Sequence, residues 1–144
     1  MSEEKKNLAI RWFEEVWNKG RREAIDELMD ADCVIHDGGV SIQGPEQFKP
    51  YFDRLQSSFS DIHVEILQTL CDGDMVCLRW LLTMRHTGDG LGLPASGKQV
   101  TATGIGIIEV SGGRLGEGWQ NWDMLGLIEQ IQGADRAPIY MAAK

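Results

Sequence analysis

The chain has 144 residues, 42% hydrophobic and 25% charged, which suits one globular domain (1–144, with its core at about 8–131) and leaves little room for two. Its formal net charge of −8 disfavours nucleic acid and anionic membrane as partners, since both call for a basic surface. The N-terminal run MSEEKKNLAIRWF has no apolar signal core and no stretch approaches a membrane span, so the expectation is a soluble, cytoplasmic protein.

Residues 3–18 place Leu8, Trp12 and Val16, then Ile10, Phe13 and Trp17, on a broad apolar face at helical spacing, with Gly20 closing the helix. A short second helix, REAIDELM, turns Ala24, Ile25, Leu28 and Met29 inward, and CVIHD follows as a short strand. Gly44-Pro45-Glu46 is a helix start, because Pro fits the first turn and Glu suits its positive end. That helix runs to about Ser58, with Phe48, Tyr51, Phe52 and Leu55 spaced for burial.

The second half reads as strands. IHVEILQTL alternates, with Ile62, Val64, Ile66 and Leu70 on one face, and Asp72-Gly73 makes a hairpin turn. MVCLRWLLTMRH then puts Val76, Leu78, Trp80, Leu82, Met84 and His86 on one face. A Gly- and Pro-rich loop leads to QVTATGIGIIEV; Ser111-Gly112-Gly113 turns that strand into RLGEGWQNWDM. IEQIQ suggests a last helical turn, and the tail from about Gly133 looks loosely held. Helices first and antiparallel hairpins after give an α+β class: a strongly bent sheet with helices on its concave side, forming a cone with one mouth.

The three cysteines, Cys33, Cys71 and Cys77, lack CxxC spacing, and the three histidines, His36, His63 and His86, lack HxxxH pairing; no metal or cofactor is expected. The loop GDGLGLPASG lacks the ending of a phosphate cradle, and no Gly-x-Ser-x-Gly elbow is present. The chemistry therefore falls on GRLGEGWQNWD. Strand alternation gathers Leu115, Glu117, Trp119, Asn121 and Asp123 on one face and Gly116, Gly118, Gln120, Trp122 and Met124 on the other. Facing inward, the first set would place two carboxylates, an amide and an indole in one cavity, where desolvation raises a carboxyl pKa toward neutrality. Facing outward, it is a polar surface, and Asp123 is the cap of the following helix. His86, at the end of an apolar strand face, is a further acid, base or donor beside the rim.

Several short patterns together resemble the SnoaL-like polyketide cyclases (ester cyclases), of the NTF2-like superfamily. These are Phe13 with VWNKG, His36 in CVIHDGG, and QGPEQFKPYFDRLQSSFSD. They continue with His86-Thr-Gly88, Gly92-Leu-Pro94, Gly97-Lys98, Gly113-Arg-Leu, Glu117, Trp119, Asp123 and Gln130. The resemblance covers about residues 8–131 and implies an NTF2-like α+β cone, often dimeric, closing rings by intramolecular aldol chemistry without metal or cofactor. It implies Asp123 as the acid/base and His86 as an assisting or pocket-lining residue. Trp119, Glu117, Asn121, His36, Trp80 and Met84 are then ligand-binding candidates for a small hydrophobic or aromatic carbonyl compound. The chain departs from the family in having Met84-Arg85 before His86. On the strand from 98 to 110, Glu109 or Thr103 stands where a second His would be. Two hypotheses follow: an enzyme abstracting a proton next to a carbonyl, or a binding or dimerisation module that keeps the pocket alone. A homodimer is expected on the outer sheet face carrying Met75, Cys77, Arg79, Leu81, Thr83 and Arg85, which mixes apolar residues with Arg.

Overall fold

The computed structural model of the chain describes residues 2–133. The expectation of a loosely held tail falls on residues after Gly133, outside the described residues. The first helix begins as α1 (Ser2–Trp12) and continues as one π-helical turn, Phe13–Asn18. Helix α2 (Glu23–Leu28) follows, then strands β1 (Val34–Asp37) and β2 (Val40–Gln43) and helix α3 (Gly44–Ser58). Four strands, β3 (Phe59–Asp72), β4 (Met75–His86), β5 (Gln99–Ser111) and β6 (Arg114–Trp122), precede the final helix α4 (Met124–Gln132).

One sheet holds all six strands in the order β2-β1-β6-β5-β4-β3. Neighbours are antiparallel except β1 and β6, which run parallel. The sheet is curved and does not close, and the architecture is mixed α+β. Hairpin connections are two residues long where glycine supplies positive φ: Gly38-Gly39 between β1 and β2, and Gly112-Gly113 between β5 and β6. Sequence reading missed β2, a short edge strand whose only buried residue is Ile42. It also cut α4 short: that helix starts at Met124, four residues before IEQIQ.

The core lies between the concave face and the N-terminal helices. Ala9, Trp12 and Val16 are buried, and Trp12 meets Phe48 of α3 edge-on with ring centres 5.0 Å apart. Asn18 fastens the end of the π-helical turn to β3. Its side-chain N–H donates to the Val64 carbonyl (3.0 Å) and its Oδ1 accepts from the Val64 N–H (2.6 Å). The amide thus pairs with the β3 backbone as another strand would, and this explains the Asn of VWNKG. No described helix is long and apolar enough to cross a membrane.

The sheet has three register shifts, one of them between Ser60 and His63 on β3, and the other two change which of the expected side chains face inward. On β3, Ile66 pairs with Trp80 but Gln68 pairs with Arg79, so β3 carries one extra residue. Beyond it parity reverses, and Leu70, expected on the inner face with Ile66, opposes Cys77 and stands 61% exposed. On β6, Leu115 pairs with Val110 and Gly118 with Ile108, so Gly116 and Glu117 together oppose Glu109. This bulge reverses the parity of the stretch that was expected to carry the chemistry.

Candidate active site

Both Leu115 and Gly118 point inward on β6, with the extra residue between them; beyond Gly118 the inward positions are Gln120 and Trp122. On β4 the inward row includes Leu78, Trp80, Leu82 and Met84. Trp80 lies flat over β5 because Gly104 and Gly106 stand opposite; a methyl group at Gly104 would overlap its indole. These rows border two apolar chambers of about 50 Å³ each, which share a partition made by Phe13, Trp80 and Gln120. One chamber adds Trp12, Met29, Ile35, Leu78 and Leu115. The other adds Trp17, Tyr51, Leu55, Ile62, Met84 and Trp122.

The polar groups of the concave side converge on Asp37, the last residue of β1. Gln120 Nε2 donates to Asp37 Oδ2 at 3.1 Å, and the Tyr51 hydroxyl donates to the same oxygen at 3.4 Å. Both land on Oδ2, so Oδ1 carries neither of the bonds that hold the carboxylate. The Trp122 indole stands beside the Tyr51 hydroxyl and lines the same chamber. Burial pushes the Tyr51 phenol well above its ordinary pKa of 10.0, and the neighbouring Asp37 charge pushes it further, against a smaller opposite effect from Trp122. Tyr51 is therefore a neutral donor at any physiological pH. The parallel pairing of β1 with β6, Asp37 opposite Gln120, and the inward face of α3 assemble this group.

The expected site residues divide into separate places. Trp80 and Met84 line the chambers. Glu117, Trp119 and Asn121 do not share that concave space, because the bulge at Gly116–Glu117 turns all three to the convex face. Trp119 borders one chamber but is 44% exposed, and its ring stacks on His36 with centres 5.4 Å apart. His36 Nε2 pairs with Glu117 Oε2 at 2.7 Å and Nδ1 with Ser41 Oγ at 2.9 Å, so three of the expected residues do meet, on the outside. Asp123 follows the end of β6 as the N-cap of α4: its Oδ1 accepts from Gly126 N–H at 3.0 Å. It borders neither chamber; Asp37 does not line one either, but its two hydrogen-bond partners, Tyr51 and Gln120, do.

His86 is fully buried. Its Nδ1 accepts the Ser96 N–H at 3.2 Å and lies 2.9 Å from Ser96 Oγ, so the ring proton of the neutral imidazole sits on Nε2. Nε2 has no hydrogen-bond partner among the described residues, and the ring packs beside Phe59. His86 faces inward two residues beyond Met84 but borders neither chamber; it anchors the Gly-rich loop through Ser96. Among the described residues, no group of three His, Cys, Asp or Glu side chains could hold a metal ion.

The sequence profile of the SnoaL-like polyketide cyclases matches residues 7–131. The chain belongs to that family. Aklanonic acid methyl ester cyclase DnrD of Streptomyces peucetius is 26% identical over 128 residues, covering 85% of this chain and 87% of the relative. The solved structure of a candidate polyketide cyclase from Acidithiobacillus ferrooxidans is 30% identical, superposes with a TM-score of 0.81, and covers 94% of this chain and 99% of its own. A Catenulispora acidiphila protein described as having a ketosteroid isomerase-like fold superposes with a TM-score of 0.74 at 17% identity, covering 91% of this chain and 97% of its own. At that identity the likeness concerns the fold alone, which is NTF2-like. The cluster on the concave side that sequence reading missed consists of Asp37, Tyr51, Gln120 and Trp122. Tyr51 was placed on the buried face of its helix, but nothing local linked it to a carboxylate 14 positions earlier. The glycines at 116 and 118 were the available signal for a bulge.

Proposed function

We propose that this protein is a cofactor-independent cyclase or isomerase that moves a proton at the carbon next to a carbonyl in a small aromatic or polyketide-like ligand, with Asp37 as the acid/base. The observation that carries the reading is the Asp37–Tyr51–Gln120 cluster beside apolar, Trp-rich chambers. Two donors orient the carboxylate through Oδ2, and Oδ1 takes the proton from the α-carbon. The resulting enolate carbon attacks a second carbonyl of the same molecule; a C–C bond forms, the C=O π bond opens, and the new alkoxide recovers the proton from Asp37. Tyr51, neutral because it is buried, keeps its one hydroxyl proton on Asp37 Oδ2 and so positions the carboxylate; an Asp base also serves in the ketosteroid isomerase pattern. This gives Asp37 the role that the family resemblance implied for Asp123, whose carboxylate supports the start of α4.

One observation favours a second reading, a binding module: the capping of α4 by Asp123 removes the implied acid/base from the chambers. The two readings separate on 2,6-heptanedione, which closes to a hydroxycyclohexanone by the same chemistry and then loses water to a cyclohexenone. Wild-type protein should speed the closure, Asp37→Asn should lower the rate at least a hundredfold, and Asp123→Asn should keep most of it. A rate equal in wild type and Asp37→Asn favours the binding module. The reading includes a homodimer on the convex face, where Leu70, Cys77, Ile107 and Trp119 lie side by side across four strands.

A further inference from the structure

The two chambers meet at the partition formed by Phe13, Trp80 and Gln120. Each holds about 50 Å³, whereas an apolar cavity that takes up one benzene ring has roughly 150 Å³. Neither chamber alone encloses a ring, and joining the two across the partition enlarges the space open to one ligand. The three members of the partition are not equally held. Trp80 is buried and wedged against the bare backbone of Gly104 and Gly106. Gln120 is tied by its amide to Asp37. Phe13 has neither restraint. It is half-buried, it leans on Trp80 with ring centres 5.0 Å apart, and it opens the π-helical turn. Such turns are commonly found at functional sites in helices.

We propose that Phe13 is a gate between the chamber at Tyr51 and a second, apolar subsite walled by Trp12, Met29, Ile35, Leu78 and Leu115. The second subsite takes a ring or alkyl arm of the ligand, remote from its reacting carbonyl. No charged side chain lines it, so the arm is uncharged; a buried charge there would find no partner. The ligand is thus a carbonyl compound with one polar, enolisable end and one apolar end. This deepens the proposed function and rests on it only for which end reacts. Arm length should set affinity, at about fourfold for each methylene buried beyond the gate.

Phenyl alkyl ketones from acetophenone to hexanophenone, titrated against tryptophan fluorescence, test the gate. In wild-type protein, affinity should climb with chain length once the arm reaches Phe13. Phe13→Ala should strengthen binding of the long ketones at least tenfold over acetophenone. Leu78→Phe, which fills the second subsite, should flatten the dependence on length, and Ala9→Val should do the same more mildly should Leu78→Phe fail to fold. Xenon-pressurised crystals of the wild type should show an atom between Trp12, Met29 and Leu78. Asp37→Asn should keep the same length dependence, so loss of catalysis and loss of the gate are read separately. A length dependence identical in wild type, Phe13→Ala and the filled variants would overturn the proposal.

Discussion

Replacing Asn18 by Ala isolates the joint between the N-terminal helix and the sheet. The side chain makes two hydrogen bonds with the Val64 backbone, at 3.0 Å and 2.6 Å. Val64 is buried, so truncation removes both bonds and leaves an N–H and a C=O without a partner. A net bond contributes about 0.5–1.5 kcal/mol and an orphaned buried group costs about 1–3 kcal/mol; β3 lies at the sheet edge and water can restore part of this. The expected loss is about 2–4 kcal/mol, with a fall in Tm on the order of 10 °C. Urea denaturation followed by tryptophan fluorescence reads it directly. Asn18→Asp keeps the acceptor for the Val64 N–H but sets a charged oxygen against the Val64 carbonyl. Its deficit relative to wild type should shrink below about pH 4, where a protonated carboxyl regains a donor. An Asn18→Ala protein within about 0.5 kcal/mol of wild type, at unchanged m-value, would refute the reasoning.

Acid should weaken the fold through three carboxylates, the half-buried Glu15 and the exposed Asp53 and Asp74. The pKa of Glu15 is lowered from 4.5 by hydrogen bonds from Lys19 and Arg21, that of Asp53 from 3.8 by Arg22, and that of Asp74 from 3.8 by Lys5. A carboxyl group whose pKa is lower in the folded chain stabilises above its unfolded value and loses that contribution as pH falls, so the urea midpoint should drop below about pH 4. The Cys33 thiol is pushed up to about 12, first by burial and then by the charges of Asp30 and Glu117, so at pH 8 a disulfide reagent should label Cys71 while Cys33 reacts only on unfolding. If the convex face joins two copies, Ile107→Glu should convert a dimer to a monomer in sedimentation experiments; a wild-type monomer at micromolar concentration would contradict the dimer.

Much of the fold was legible because its signals are local. The Gly-Pro-Glu start and the spacing of Phe48, Phe52 and Leu55 marked α3, and unbroken alternation from Met75 to His86 marked β4. The site was less legible, because it depends on counting residues through bulges. One added residue at Gly116–Glu117 exchanged Glu117, Trp119 and Asn121 for Gln120 and Trp122 on the concave side. Asp37 lay beyond local inference for another reason: its partner Gln120 is 83 positions away and reaches it through the parallel β1–β6 pairing, which hydrophobic periodicity does not encode.

The central claim is that Asp37 handles the α-proton of a bound ketone, and hydrogen–deuterium exchange tests it without requiring the natural substrate. The measurement is the rate at which the α-protons of 2,6-heptanedione exchange in D₂O, followed by proton NMR with wild type, Asp37→Asn and Asp123→Asn. The account predicts catalysed exchange in wild type, a loss of at least a hundredfold in Asp37→Asn, and a rate in Asp123→Asn close to wild type once its stability is matched. Exchange that survives in Asp37→Asn and disappears in Asp123→Asn would contradict it and return the acid/base role to the residue that caps α4.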